Sequence, residues 1–247
     1  MKSIMLEDLQ MKHDELKRVS DVSEWYLKEQ LDFDKRLIRF RYQTLKPHFK
    51  GPEGLELGPA EGQMTQFLSN CFERLTVVEG AAILLETMPD YPNVVKVHSL
   101  FEEFEPDRKY NTVIMEHILE HVDQPVLLLQ RVKQWLAPQG KMLLGVPNGN
   151  SIHRLAAVKM GLLKQSCELN QRDLAQGHRR VYTPETFKKD IEASGIRVIE
   201  LGGVFFKPLS NQQIQDHWTD EMIHGFYELG KDFPNHAADI YAVCELS

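Results

Sequence analysis

The stretch Gly54-Leu55-Glu56-Leu57-Gly58-Pro59-Ala60-Glu61-Gly62, followed by Leu75-Thr76-Val77-Val78 and then Glu79, constrains this chain more than any other. An aliphatic run, a glycine-punctuated turn and a helical segment read as strand, loop and helix, and the second run as the next strand. In such a unit the loop amides can hold a ligand at the helix N-terminus. The acid closing the second strand, about 20 residues on, is where a doubly wound sheet places its ribose ligand. An ordinary tight turn in an α/β domain is the plainer reading of the loop alone.

The loop departs from the dinucleotide pattern in one informative way. A pyrophosphate site uses G-x-G-x-x-G with no negative charge beside the phosphates. Here Glu56 precedes Gly58, Glu61 lies inside the turn, no Lys or Arg is near, and Pro59 removes an amide donor. Such a loop repels phosphate and suits a nucleoside carrying positive charge. S-adenosylmethionine, with its ammonium and sulfonium, has that charge.

At 247 residues the chain can form one large α/β domain, or a domain with a helical appendage. A formal charge of −7 argues against nucleic acid as the main partner, which would need a basic face. No apolar run is long enough to span a membrane. Acids at Glu7 and Asp8 stand where a signal peptide needs an apolar core, so a cytoplasmic location is expected. Cys71, Cys167 and Cys244 are widely separated and suggest neither a metal spacing nor a disulfide framework.

Residues 1–50 carry charges and helix formers, with Leu6, Leu9, Met11, Leu16 and Val19, then Trp25, Tyr26, Leu31, Phe33, Leu37, Phe40 and Leu45 at helical spacing. Gly51-Pro52 ends this extension. The main domain, 51–247, alternates strands and helices. Strands are expected at 55–57, 75–78, 94–97, 112–115, 142–146, 196–199 and 240–243. Helices are expected at 64–72 and 81–87, then after Asp123-Gln124-Pro125 and after Thr183-Pro184-Glu185. This rhythm implies a parallel sheet covered on both faces. Residues 147–182 break it and read as a cap insertion after the fifth strand.

With these elements in order, the chain resembles the class I S-adenosylmethionine-dependent methyltransferases. It looks closest to the small-molecule group of ubiquinone-type O-methyltransferases and bacterial sugar and polysaccharide tailoring enzymes. The resemblance rests on the loop at 54–62, Val77-Val78-Glu79, the run from Thr112 to Val122, Leu136-Ala137-Pro138-Gln139-Gly140, and Val146-Pro147-Asn148. It implies a Rossmann-like, doubly wound α/β sheet of seven mostly parallel strands, the last antiparallel. It places Glu56 near the methionine ammonium, with Gly58, Ala60 and Gly62 shaping the loop. Glu79 falls on the ribose hydroxyls, and Ser99 or Leu100 on the adenine. Met115, Glu116 and His117 fall on the methionine side. The family usually has glycine at the position of Ala60, and an acid where Asn111 stands. Arg41 or Arg39, in the helix before the first strand, could pair with the cofactor carboxylate or simply face solvent. The product would be S-adenosyl-L-homocysteine.

Methyl transfer to a hydroxyl needs a base as well as alignment, and histidine suits that task. Candidates are His178, then His121, then His117. His117, Glu120 and His121 have the H-x-x-E-H spacing of a zinc motif. No third ligand is readable and the setting is that of a cofactor-lining turn, so no metal is expected. Asn148, His153 and Arg154, together with His178, Arg179, Arg180 and Tyr182, suggest an electropositive pocket for an anionic small-molecule acceptor. The same arginines could instead hold the cap to the core by salt bridges. Phe205, Phe206 and Trp218 either wall the acceptor site or pack the cap. The expected activity is methyl transfer to a hydroxyl of a sugar or glycan precursor or a similar molecule. N-methylation of an amine and an inactive cofactor-binding module are the alternatives, and the N-terminal aromatics could support a homodimer.

Overall fold

The structure, a computed structural model, describes residues 2–27 and 32–246. The side chains of residues 2–11, Leu6, Leu9 and Met11 among them, and the whole of Leu31 lie outside the described residues.

Strands β1 (Glu53–Leu57), β2 (Arg74–Glu79), β3 (Val94–His98), β4 (Tyr110–Glu116), β5 (Leu136–Pro147), β6 (Ile196–Val204) and β7 (Asp239–Leu246) form one sheet. Their order is β3-β2-β1-β4-β5-β7-β6. Leu55 of β1 pairs in parallel with Thr76 on one side and Val113 on the other. β7 runs antiparallel between β5 and β6, as expected of the last strand. Leu55, Val77, Val113, Ile114, Leu143 and Leu144 are fully buried. Strands covered on both faces carry short aliphatic stretches, which is why they are visible in the sequence.

The helices are α1 (Lys2–Leu27), α2 (Asp32–Leu45), α3 (Thr65–Leu68), α4 (Ala82–Thr87), α5 (Pro125–Val132), α6 (Ile152–Lys159), α7 (Gln171–Ala175), α8 (Pro184–Ala193), α9 (Asn211–His217) and α10 (Asp220–Asp232). The helix expected over 64–72 shortens to α3. Ser69 Oγ and Asn70 Nδ2 both donate to the Gln66 carbonyl, a local alternative to helix continuation. Pro125 opens α5 as expected. No helix among the described residues is long and apolar enough to cross a membrane.

The sequence reading did not anticipate α9 and α10. Ser210 and Thr219 cap them, and Ile214, Ile223 and Tyr227 pack with Phe33 and Leu37 of α2 and with Phe205. This cluster decides the role of the aromatics after β6. The Phe205 ring lies 5.2 Å from Phe33 and 6.4 Å from Trp218, and Phe205 is completely buried. Phe206 packs on Phe226 and Phe233. These rings join α2 to the sheet edge and do not wall the cavity described below.

Crossovers from β1 lead to β2 on one side, while β4 lies on the other. The divergence leaves a crevice at the carboxyl ends of β1 and β4, where open α/β sheets bind ligands. The cap begins beside it, its ends joined by a bridge between Asn148 and Tyr182.

Candidate active site

A cavity of about 370 Å³ occupies this crevice. Its floor is the loop after β1 and the ends of β2 and β4, and α1, α2 and the cap complete its walls. Residues of α1 and α2 between Glu15 and Arg41 are therefore part of the site wall. Arg18 of α1 donates to the carbonyls of Gly177 and His121, and Glu15 accepts from Arg179 at 2.7 Å.

The loop turns through three left-handed residues, Gly58 (φ 66°), Ala60 (φ 48°) and Gly62 (φ 87°). Gly58, at φ 66°, is in a conformation that favours glycine, and Ile118 Cδ1 packs where a Cβ would lie. Glu56 is buried and accepts from Thr65 Oγ1 at 2.7 Å. Burial pushes its carboxyl up to about 7, with Thr65 opposing. Glu79 accepts from the N–H groups of Ala60 (3.3 Å) and Ala81 (3.0 Å). Its pKa is also raised by burial, against those amides. Two carboxylates thus face one cavity beside the loop, with no Lys or Arg among the loop residues.

The turn after β4 supplies the opposite side. Glu116, His117, Ile118 and His121 line the cavity, whereas Met115 is fully buried in the main core. Leu100 lines it and Ser99 does not. Arg41 reaches in from α2 and Arg39 is exposed. The Arg41 guanidinium lies 3.1 Å from Asp239 and 3.4 Å from Glu116, and donates to His117 Nε2 at 2.9 Å. The same Nε2 lies 3.5 Å from Asp239 Oδ1, and Nδ1 faces Glu120 Oε1 at 3.6 Å. Burial and then Arg41 drive the His117 pKa down to about 4. Burial raises Glu116 to about 8 despite Arg41. Asp239 stays well below the usual carboxylate range, because His117 and Arg41 outweigh its burial.

The cap contributes a second cluster. His178 is buried, with Nδ1 3.5 Å from Asp173 Oδ1. Burial would raise the Asp173 pKa, but bonds from His178, the Asn170 N–H and Arg154 hold it down to about 2. The rings of His178 and His121 meet edge to face at 4.7 Å. Tyr26 Oη from α1 lies 3.5 Å from His121 Nε2. Burial, then the neighbouring His178 and His117, hold the His121 pKa well below its ordinary value.

The arginines do not form the expected electropositive pocket. Arg179 and Arg180 are outside the cavity lining. Arg180 donates to the carbonyls of Leu119, Val122 and Asp123, and Arg179 to that of His121. They secure the turn after β4 from behind, since carbonyls at the end of that turn need donors. Arg154 touches the cavity, but Asp173 and the carbonyls of Ser166 and Glu168 take up its guanidinium. Tyr182 is buried away from the cavity on Asp190. Asn148 lines it, yet its amide ties the cap to the carbonyls of Asn235 and Ala237. His153 lines the cavity as expected. Among the cations that line the cavity, sequence reasoning missed Arg18, Arg172 and Lys207, the last just after β6. Asp173 and Asp239 were missed as well. Asp239 had one available signal, since an antiparallel last strand must begin at the edge where parallel strands end.

A metal was not expected because no third ligand accompanies His117, Glu120 and His121 in sequence. The fold brings a different trio together. Glu120, His121 and His178 each bring a ligand atom within 4.8 Å of the others. Both Glu120 oxygens lack a hydrogen-bond partner among the described residues. Two imidazoles and a carboxylate are a donor set suited to a divalent ion such as zinc.

The family model described as a methyltransferase domain matches residues 27–201. The chain belongs to the methyltransferase domain family. Among curated proteins it is similar to the ubiquinone biosynthesis O-methyltransferase of Aeromonas salmonicida, 28% identical over 108 residues. That match spans 43% of this chain and 43% of the relative, less than half of either. Similar solved structures include a DhpI–SAM–HEP complex (16% identity, TM-score 0.60, covering 94% of this chain and 96% of that one). Another is the CcbJ methyltransferase from Streptomyces caelestis (14% identity, TM-score 0.60, covering 93% and 98%). A third is the N-methyltransferase NodS from Bradyrhizobium japonicum in complex with S-adenosyl-L-homocysteine (15% identity, TM-score 0.56, covering 94% and 96%). These likenesses bear out the methyltransferase fold.

Proposed function

We propose that this methyltransferase uses S-adenosylmethionine to methylate a hydroxyl of a small molecule, a sugar or glycan precursor or a comparable hydroxy compound. One observation carries the reading. A single cavity joins the carboxylates of Glu56 and Glu79, beside a glycine turn, to the Asp173–His178–His121 cluster.

The residues present fit this cofactor. Glu56 accepts one hydrogen bond, from Thr65, and has lone-pair capacity left for an ammonium. Glu79 is positioned to accept from ribose hydroxyls, and Leu100 offers an apolar surface to a base. When bound, the cofactor supplies a methyl group on an electrophilic sulfonium.

This chain's own work is to align the acceptor, exclude water and take its proton. Asp173 holds the proton of His178 on Nδ1, which leaves Nε2 as the basic nitrogen. His121, kept neutral by burial, is the second candidate base. An amine acceptor would need only a neutral lone pair and no base.

Formation of S-adenosyl-L-homocysteine should be screened against sugar nucleotides, hydroxy acids and phenols. With a hydroxyl acceptor, His178→Gln should lose turnover. Undiminished turnover in both His178→Gln and His121→Gln would refute the base assignment and favour an amine.

A further inference from the structure

Lys207 is a half-buried cation that forms no ion pair among the described residues, although Asp239 and Asp34 lie near enough to act on its charge. Its ammonium has three donors, and its one side-chain hydrogen bond among the described residues goes to Asn211 Oδ1, at 2.8 Å. The nearby carboxylates are engaged elsewhere. Asp34 accepts from Asn211 Nδ2 and pairs with Arg172 at 3.2 Å. Those bonds also fix the Asn211 amide, so that its oxygen must face Lys207. Asp239, paired with Val204 at the end of β6, is held by Arg41 at 3.1 Å.

The neighbouring histidine adds no charge of its own. Burial, followed by Lys207 and Arg154, presses the His153 pKa down to about 3. Lys207, Arg172 and Asp34 together carry one net positive charge on the cavity wall, and the adjacent Asp239 is ion-paired to Arg41. An ammonium in this setting is costly unless something supplies a counter-charge. Burial lowers its pKa to about 8.

Resting on the methyl-transfer reading for which end of the cavity takes the acceptor, we infer that Lys207, oriented by Asn211, binds an oxyanion, a carboxylate or phosphate, on the acceptor molecule. The anionic acceptor expected from the cap arginines is thereby moved to a different residue. Arg154, Arg179 and Arg180 are occupied within the fold, whereas Lys207 retains donors for a ligand.

The test uses full-length protein saturated with S-adenosyl-L-homocysteine and labelled with carbon-13 at lysine Cε. Inorganic phosphate, acetate and benzoate are titrated, with acetamide and benzamide as neutral controls. The Lys207 resonance, assigned by its loss in Lys207→Arg, should shift saturably with at least one anion, at a dissociation constant of about 1 mM or tighter. The amides should leave it unmoved. Phosphate against the two carboxylates shows which oxyanion is preferred. By calorimetry Lys207→Arg should retain anion binding and Lys207→Met should lose it.

No saturable shift with any of the three anions overturns the assignment, as do equal shifts with the amides or wild-type anion binding in Lys207→Met. The saturation step keeps the two readings apart. Protein that binds S-adenosyl-L-homocysteine but no anion refutes the Lys207 site alone. Protein that fails to bind S-adenosyl-L-homocysteine refutes the cofactor reading.

Discussion

Nδ1 of His178 lies 3.5 Å from Oδ1 of Asp173, and the other oxygen of that carboxylate lies 3.0 Å from Arg154 Nη1. One buried acid therefore orients the proposed base and ties the cap to itself. Asp173→Asn preserves the shape and removes the charge. Turnover should fall by about 10²–10⁴-fold, the range of an oriented general base, while cofactor affinity stays unchanged. Steady-state kinetics alongside calorimetry separates these effects. Unaltered turnover would remove His178 from the mechanism.

Glu79 accepts from Ala60 and Ala81 and stands where ribose hydroxyls would donate. Glu79→Ala should weaken cofactor binding by about 1.5–3 kcal/mol, roughly ten- to hundredfold, the scale of a hydrogen bond to a charged group. Direct titration reads this. An unchanged dissociation constant would exclude Glu79 from the site.

Glu56 sets a pH dependence. Its pKa in the unliganded protein is raised to about 7, and a bound ammonium favours the ionised form. Binding should lower the pKa and release a proton. Affinity should therefore be flat above about pH 7 and fall below it, by up to about tenfold per unit. Glu56→Gln should flatten the profile. For stability the sign is reversed. The raised pKa favours the unliganded fold at low pH, and this contribution is lost as pH rises through about 7.

Ala60 holds φ at 48°, a conformation that costs an L-residue about 1–2 kcal/mol. Ala60→Gly relieves that strain but frees the unfolded chain, for a net gain of about 1 kcal/mol. The melting temperature should rise by about 2–4 °C. A lower melting temperature would show that the methyl group packs favourably in the loop.

Arg180 satisfies the carbonyls of Leu119, Val122 and Asp123. Arg180→Ala should destabilise the fold by about 1–3 kcal/mol, since buried acceptors would lose their donor. Lysine should rescue it poorly, having no planar fork to span three carbonyls. Denaturant unfolding tests this. Wild-type stability would restore Arg180 as a candidate ligand residue.

Much of the fold was legible because β1, β2, β4 and β5 are buried on both faces and carry short aliphatic stretches. The grouping of Glu56, Gly58, Gly62 and Glu79 was equally legible, since they lie in one strand–loop–helix–strand unit. The side proposed for the acceptor was not. Lys207, Asp173 and Asp239 come from three separate segments and meet only through tertiary packing. The arginines misled for a related reason. A guanidinium that holds backbone carbonyls, like that of Arg180, looks in sequence like one awaiting a ligand. Pattern alone was also silent on α9 and α10, whose short apolar faces acquire meaning only against α2.

The central claim is that the loop at 54–62 and Glu79 hold S-adenosylmethionine, and calorimetric titration of the folded protein tests it most directly. The expected result is one saturable site, weakened at least about tenfold in Glu79→Ala. A folded, monodisperse protein that shows no binding would contradict the account.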